Sequence, residues 1–115
     1  MKLSKPDFKE ILKLSKLERL IMEYFIKHIS VGEIIAVLEL RDEVKRRRDP
    51  ELVPELDDVV IEFEINRALA RLVEKGFLEH TTGCYNLAEH LRKKIIEKIG
   101  ELRPGISKDL EKLID

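Results

Sequence analysis

The chain has 115 residues with a formal net charge of -1, and 39% of its residues are charged. This length suits a single domain that buries roughly two thirds of its unfolded surface, enough for an ordinary core. The near-neutral balance excludes binding to nucleic acid through overall basicity, so any such binding has to rest on local patches of charge.

The sequence also predicts where the protein works. No apolar run approaches the roughly 20 residues that span a membrane, and the N-terminus lacks the apolar centre of a secretory signal. Cys84 is the only cysteine, which agrees with a reducing compartment. We therefore expect a cytoplasmic protein with no membrane partner. Its many Glu, Lys and Ile residues are compatible with a thermophilic source.

Three helices are predicted in the N-terminal part of the chain. A short leading helix covers residues 6–14, where proline suits the first position. The capping box Ser15–Glu18 starts a strongly amphipathic helix, and Ser30–Glu33 repeats the box for the next one. The stripe that this second core helix is predicted to turn inward consists of Val31, Ile34, Ile35 and Leu38.

The second core helix is predicted to continue to about Arg48, because residues 41–48 contain no helix breaker. Asp49-Pro50 and Pro54 then mark a loop. Residues 41–58 are therefore an insertion before the third helix. The insertion contains a basic run that is either a phosphate-binding patch or a solvated face, made of Lys45, Arg46, Arg47 and Arg48.

The start of the third helix has two interpretations, because residues 59–65 alternate in part between apolar and acidic side chains, as a strand does. We favour a helix from about Asp58 to Lys75 with two apolar faces. The second face, with Val59 and Phe63, is expected to be covered by another chain or by the loop residues Leu52, Val53 and Leu56.

A β-hairpin is predicted directly after the third helix. Gly76 ends the helix, and strands over residues 77–80 and 84–87 pair around the turn Thr81-Thr82-Gly83. The glycine allows the positive φ that such a turn needs. This hairpin contains no Lys or Arg.

Two helices are predicted after the hairpin. Asn86 and Glu89 form a cap for a helix that runs through Leu102, and Ser107 can cap a last short helix. The longer helix has an apolar stripe that we expect to form a homodimer interface, with packing on its own chain as the alternative. The stripe consists of Leu91, Ile95, Ile99 and Leu102.

The order of residue types in Ile65–Leu69, at Leu72 and in Glu74–Leu78 resembles the recognition helix and wing of winged helix-turn-helix DNA-binding domains of prokaryotic transcriptional regulators. The resemblance implies a mainly α fold with a small β-hairpin, an extended second helix and additional terminal helices. The expected single domain over residues 1–115 comprises a leading helix (1–14), a winged-helix core (15–87) with insertion 41–58, and C-terminal helices (88–115).

The resemblance implies a small, dimeric transcriptional regulator that binds double-stranded DNA through its third helix. The residues expected at the DNA are Asn66, Arg67, Arg71, Lys45, Arg46, Arg47, Arg48, Arg92, Lys93, Lys94, Thr81 and Thr82.

A different class of function follows from the charges before Asn66. Residues 54–66 carry five acids and no base, and each carboxylate about 6 Å from a phosphate costs roughly 0.7 kcal/mol in water. The alternative is therefore a winged-helix protein-interaction module with little or no DNA binding. It would hold a protein partner with the acidic and apolar start of the third helix.

We predict no catalytic residue, metal site or cofactor, and we do not expect an enzyme. His80, Cys84 and His90 are the only cluster of metal-ligand types, and a zinc site would need a fourth ligand. The sequence contains no phosphate-binding glycine loop and no catalytic arrangement that a motif identifies.

Overall fold

The structure, a computed structural model, describes residues 5–105 and 108–114. Its elements are a 3-10 helix (Phe8–Lys13), α1 (Lys16–His28), β1 (Ser30–Gly32), α2 (Glu33–Arg47), α3 (Asp58–Lys75), β2 (Leu78–Thr81), β3 (Cys84–Leu87), α4 (Glu89–Ile99) and α5 (Leu110–Leu113). The predicted fold class, mainly α with a small β-hairpin, is confirmed. Among the helices described, none is both long enough and apolar enough to cross a membrane.

Local sequence signals determine the ends of α1 and α3. The Ser15 hydroxyl accepts a hydrogen bond from the Glu18 backbone N–H at 3.2 Å, and the Glu18 carboxylate accepts one from the Ser15 N–H at 3.1 Å. The predicted capping box is therefore confirmed. Asp57 caps α3 with its side chain, and Gly76 ends it with a φ of 90°. Residues 59–64 are thus helical, and the strand alternative is wrong.

The three strands form one antiparallel sheet in the order β1-β3-β2. β1 lies against the hairpin, with Val31 opposite Tyr85. The prediction that Ser30 caps a helix is wrong, because the backbone of Ser30–Gly32 pairs with β3 and α2 starts only after it. Gly32 takes the cap position without a side-chain hydrogen bond. The order of α1, α2, α3 and the hairpin is the predicted one, whereas β1 between α1 and α2 was not predicted.

α2 turns a different side toward the core than its sequence predicts. Its buried residues are Ala36, Leu40 and Val44. Three residues of the predicted stripe remain outside, with exposed fractions of 73%, 55% and 41% for Ile34, Ile35 and Leu38. The fourth, Val31, lies in β1 and packs partly buried against the core. This helix carries two apolar stripes with helical spacing. Pairing of Ser30–Gly32 with β3 fixes where α2 starts, and the stripe of Ala36, Leu40 and Val44 then points inward.

α4 starts later and ends earlier than predicted. Asn86 lies in β3 and pairs with β1, so Ala88 takes the cap position instead. Gly100, with a φ of 94°, ends the helix after Ile99, and α4 does not reach Leu102.

The apolar stripe of α4 packs mainly on its own chain. Leu91 and Ile95 are fully buried in the core, and Leu102 packs against the core from outside. Ile99 is the exposed member, at 37%. The assignment of Leu91 and Ile95 to a dimer interface is therefore corrected, because a second copy could reach them only by opening the core. The homodimer itself stays a prediction.

The terminal helices complete the core. The leading helix is a 3-10 helix whose Phe8 and Ile11 are fully buried. At the other end, α5 is capped by Asp109 and buries Leu113. The predicted cap Ser107 lies outside the described residues.

One buried carboxylate, that of Glu18, joins α1 to α3. Its side chain is 4% exposed and lies 3.0 Å from Arg71 Nε and 3.3 Å from Lys75 Nζ. Burial alone would raise the pKa of Glu18, but hydrogen bonds from Ser15, Arg71 and Lys75 outweigh burial and lower the pKa below its ordinary value of 4.5. The ion pairs therefore stabilise the fold above this pH, and the contribution disappears as the pH falls through the lowered pKa.

Replacing Glu18 by Gln is expected to lower the free energy of unfolding at neutral pH by about 1–3 kcal/mol. The loss stays moderate because Arg71 and Lys75 are 41% and 47% exposed and water solvates them in the variant. The wild type should lose this difference on acidification below about pH 4.5. Urea unfolding at several pH values measures it, with Glu23→Gln on the exposed side of α1 as control. Equal stability of E18Q and wild type at neutral pH would contradict the assignment.

Candidate functional site

The residues of α3 that were predicted to contact DNA are in contact with their own chain. The Asn66 side-chain amide donates to a backbone carbonyl one turn earlier, at 2.9 Å. The Arg67 guanidinium lies 5.6 Å from the centre of the Phe63 ring. Arg71 binds the buried carboxylate of Glu18. Arg71 thus has a structural role, whereas Asn66 and Arg67 lie on the exposed side of the helix.

Carboxylates of the same chain partly neutralise the basic run at the end of α2. Lys45 Nζ lies 2.8 Å from Asp58, and Arg47 Nε lies 2.6 Å from Glu43, which Arg46 also binds. These hydrogen bonds are the main reason why the pKa values of Asp58 and Glu43 are lowered. The run therefore presents less positive charge than its sequence suggests.

The other predicted DNA contacts are spread over α4, the hairpin and the end of α2. Arg92 lies 3.3 Å from Glu79, and Lys94 lies 2.6 Å from Asp7. Through these ion pairs α4 is tied to β2 and to the N-terminal segment. The remaining predicted contacts are exposed: Arg48, Lys93, Thr81 and Thr82.

The two histidines of the candidate metal cluster bind different parts of the chain. His80 Nε2 lies 2.6 Å from Glu33, and His90 Nε2 lies 2.6 Å from the carbonyl oxygen of Pro6. Cys84 is half-buried in β3. Within residues 5–105 and 108–114, no three His, Cys, Asp or Glu side chains are arranged to hold a metal ion.

α3 has a second apolar face that the described part of the chain does not cover. Val59 is 75% exposed and Phe63 is 58% exposed. The prediction that the inserted loop covers this face is wrong, because Leu52 and Val53 are buried in the core and Leu56 is itself 45% exposed. The other predicted covering, by another chain, stays a prediction.

A groove between α3 and the exposed side of α2 lies next to this face, and its α3 side is formed by Glu62 and Asn66. Residues at i, i+3, i+4 and i+7 share one side of a helix, and this spacing occurs in both elements. We define the α2–α3 surface as Ile34, Val37 and Leu38 of α2 together with Val59, Glu62, Phe63 and Asn66 of α3. Between the two helices the groove has a volume of about 370 Å³, and the hairpin closes one side of it with His80 and Tyr85.

The charge inside the groove is negative. Among the described residues that line it, Glu33 and Glu62 are carboxylates and none is Lys or Arg. Arg41 donates to Glu62 at 2.5 Å, and Glu33 is held by His80, which stacks on the Tyr85 ring at 4.4 Å between centroids. These contacts fix both carboxylates beside exposed apolar side chains.

A larger cavity, of about 510 Å³, lies between α1 and α2, but its character is different. The Tyr24 hydroxyl donates to Glu39 there, and burial, with the nearby carboxylate, raises the pKa of Tyr24. Glu43 is bound by Arg46 and Arg47 in the same cavity. Five polar or charged side chains of this cavity are thus paired within it, and its lining includes the cations Lys27, Arg46 and Arg47, whereas none of the described residues that line the groove between α2 and α3 is Lys or Arg.

Sequence reasoning missed the α2 half of the surface, because it assigned Ile34 and Leu38 to the core. The signal that could have found them is the second stripe on the same helix. Ala36, Leu40 and Val44 follow helical spacing equally well and leave the larger aliphatic side chains outside.

A small helical domain with an uncovered apolar surface beside fixed carboxylates has the features of a protein-interaction module. Comparison with protein families matches residues 15–93 to the family described as PolB1 Binding Protein 2. The match covers more than half of the chain, so the chain belongs to this family. Searches of the curated proteins and of the solved structures gave no match.

The family corrects the class of protein that the sequence resemblance implied. The chain belongs to a polymerase-binding family and not to a family of winged-helix transcriptional regulators. The predictions of DNA binding and transcription regulation, which rested on that resemblance, are therefore wrong. The physical reason is that the matching residue types between Ile65 and Leu78 specify a helix that ends at a glycine and a hairpin. They describe a fold and contain no group that selects DNA over a protein.

Proposed function

We propose that the chain is a non-catalytic binding partner of PolB1, the DNA polymerase named in the family's description, and that the α2–α3 surface contacts the polymerase. The family supports the identity of the partner. The choice of the α2–α3 surface as the contact with the polymerase rests on one observation. Val59 and Phe63 leave an apolar face of α3 open to water in the described part of the chain.

The composition of the surface supports binding to a protein. Aromatic side chains near the centre of an interface carry much of its binding energy, and Phe63 is the exposed aromatic residue of this surface, with the exposed Val59 one turn before it on α3. Full burial of one such side chain contributes roughly 1.5–3 kcal/mol. The partly exposed Ile34, Leu38, Val59 and Phe63 together offer several kcal/mol.

The proposed role requires no chemistry from the chain itself. A bound subunit acts on a polymerase through the state that it binds, because any ligand stabilises the conformation for which it has the higher affinity. We therefore propose that the chain is not an enzyme and that the polymerase supplies the catalysis.

Isothermal titration calorimetry of the chain with purified PolB1 tests this function. We expect one chain to bind one polymerase with a Kd of about 1 µM or tighter. Under the same conditions, at about 50 mM salt, we expect much weaker binding to duplex DNA. No binding to PolB1, or tighter binding to DNA than to PolB1, would contradict the proposal.

A further inference from the structure

The α2–α3 surface has the geometry and charge of a groove that receives a helix. Resting on the function proposed above, we propose that the polymerase segment bound there is an amphipathic helix whose apolar face is flanked by Lys or Arg side chains.

The geometry that supports a helix comes from two apolar rows. α2 and α3 run in opposite directions, since Arg41 binds Glu62 while Lys45, further along α2, binds Asp58 at the start of α3. Each helix exposes an apolar pair one turn apart. Ile34 and Leu38 of α2 line the groove of about 370 Å³. Val59 and Phe63 of α3 are exposed beside Glu62 and Asn66, which form the α3 side of the groove. Grooves that bind an amphipathic helix contact the apolar side chains which that helix carries at i, i+3 or i+4, and two apolar rows suit these contacts.

The charge that supports a basic segment comes from the groove and from the start of α3. Glu33 and Glu62 line the groove. With the other four acids of residues 54–66 they make six carboxylates in this part of the chain, whereas three cations, Arg41, Lys45 and Arg67, pair with members of this set and His80 binds Glu33. Three negative charges remain in excess. A partner with flanking Lys or Arg side chains complements this excess, and such complementarity favours both encounter and register.

The groove suits the two parts of a basic side chain. The aliphatic stem of Lys or Arg can lie on Ile34 and Leu38 while its cationic end reaches Glu33 or Glu62. A purely apolar partner would bury these carboxylates with no partners beyond Arg41 and His80, and an acidic partner would add like charge beside them, so both would be costly.

The first test removes the two groove carboxylates. In the variant Glu33→Gln/Glu62→Gln, binding to PolB1 is expected to weaken by about 3- to 30-fold at low salt. Its affinity should also depend less on NaCl between about 50 and about 500 mM than that of the wild type. The control Glu74→Gln/Glu97→Gln changes the net charge equally at exposed positions outside the groove and should bind like the wild type. Equal affinity of the groove variant and this control would overturn the proposal.

The second test removes a positive charge beside the surface, so the affinity should change in the opposite direction to that in the first test. Lys45→Gln leaves Asp58 without its 2.8 Å partner beside the surface, so affinity for a basic segment should rise by a few-fold, about 2- to 5-fold. An acidic partner requires weaker binding of this variant, which would overturn the proposal.

The two proposals fail in different ways. If the wild type does not bind PolB1, the proposed function falls and the basic helix falls with it. If Phe63→Glu abolishes binding while removal of Glu33 and Glu62 has no effect, only the basic helix is overturned. Hydrogen exchange on PolB1 should protect a helical segment with Lys or Arg beside apolar residues. Protection of an extended or acidic segment, or self-association of the chain through this surface, would also overturn it.

Discussion

Phe63→Glu is expected to weaken binding to PolB1 by about 30- to 1000-fold, the range for loss of an aromatic residue at the centre of an interface. Phe63 is 58% exposed and lies on the same side of α3 as Glu62 and Asn66, which line the groove. A carboxylate at this position removes the largest apolar contact and places a charge against the apolar face of the partner. Calorimetric titration of the variant with PolB1 measures the effect.

Ile35→Glu is the matched control for this variant. Ile35 is 55% exposed on α2 and is not part of the α2–α3 surface as defined above, so the same change of charge should leave the affinity within about 3-fold. Both substitutions are at exposed positions, and urea unfolding should show that both variants remain folded. Similar loss of affinity in the two variants would show that the negative charge, and not the position of Phe63, determines the result.

Ile95→Glu is expected to destabilise the chain by more than about 4 kcal/mol, because it places a carboxylate in the core without a partner. Ile95 is fully buried, whereas Ile99 one turn later is 37% exposed. Ile99→Glu is therefore expected to cost less than about 1 kcal/mol. Circular dichroism during urea unfolding separates the two variants.

The same pair of variants distinguishes a core stripe from a dimer interface. If the α4 stripe held two copies together, Ile95→Glu and Ile99→Glu would both yield folded chains of lower mass in light scattering. The structure predicts instead that only Ile99→Glu remains folded, at the mass of the wild type. A folded Ile95→Glu chain would contradict the burial of this residue.

The parts of the fold that could be predicted are those that neighbouring residues determine. The capping box of Ser15, the Asp57 cap and the positive φ of Gly76 each act within one helical turn, and they gave α1 its correct start and α3 both of its correct limits. β1 could not be predicted in this way, since Ser30 pairs with Asn86, far along the chain. The same pairing removed the expected helix caps at both residues.

The candidate surface was predictable only in part for the same reason. The two apolar faces of α3 indicated that something beyond the core had to cover Val59 and Phe63, and their exposure agrees with this. The α2 half was not predictable, because Ile34 and Leu38 have the spacing of a core stripe, and only packing selects Ala36 instead.

Hydrogen exchange of this chain, with and without PolB1, tests most directly whether the α2–α3 surface binds the polymerase. We predict slower exchange in residues 34–41 of α2 and 59–67 of α3 on binding, with no change in α4. Protection confined to α4 or to the cavity between α1 and α2, with α3 unchanged, would contradict the assignment of the surface.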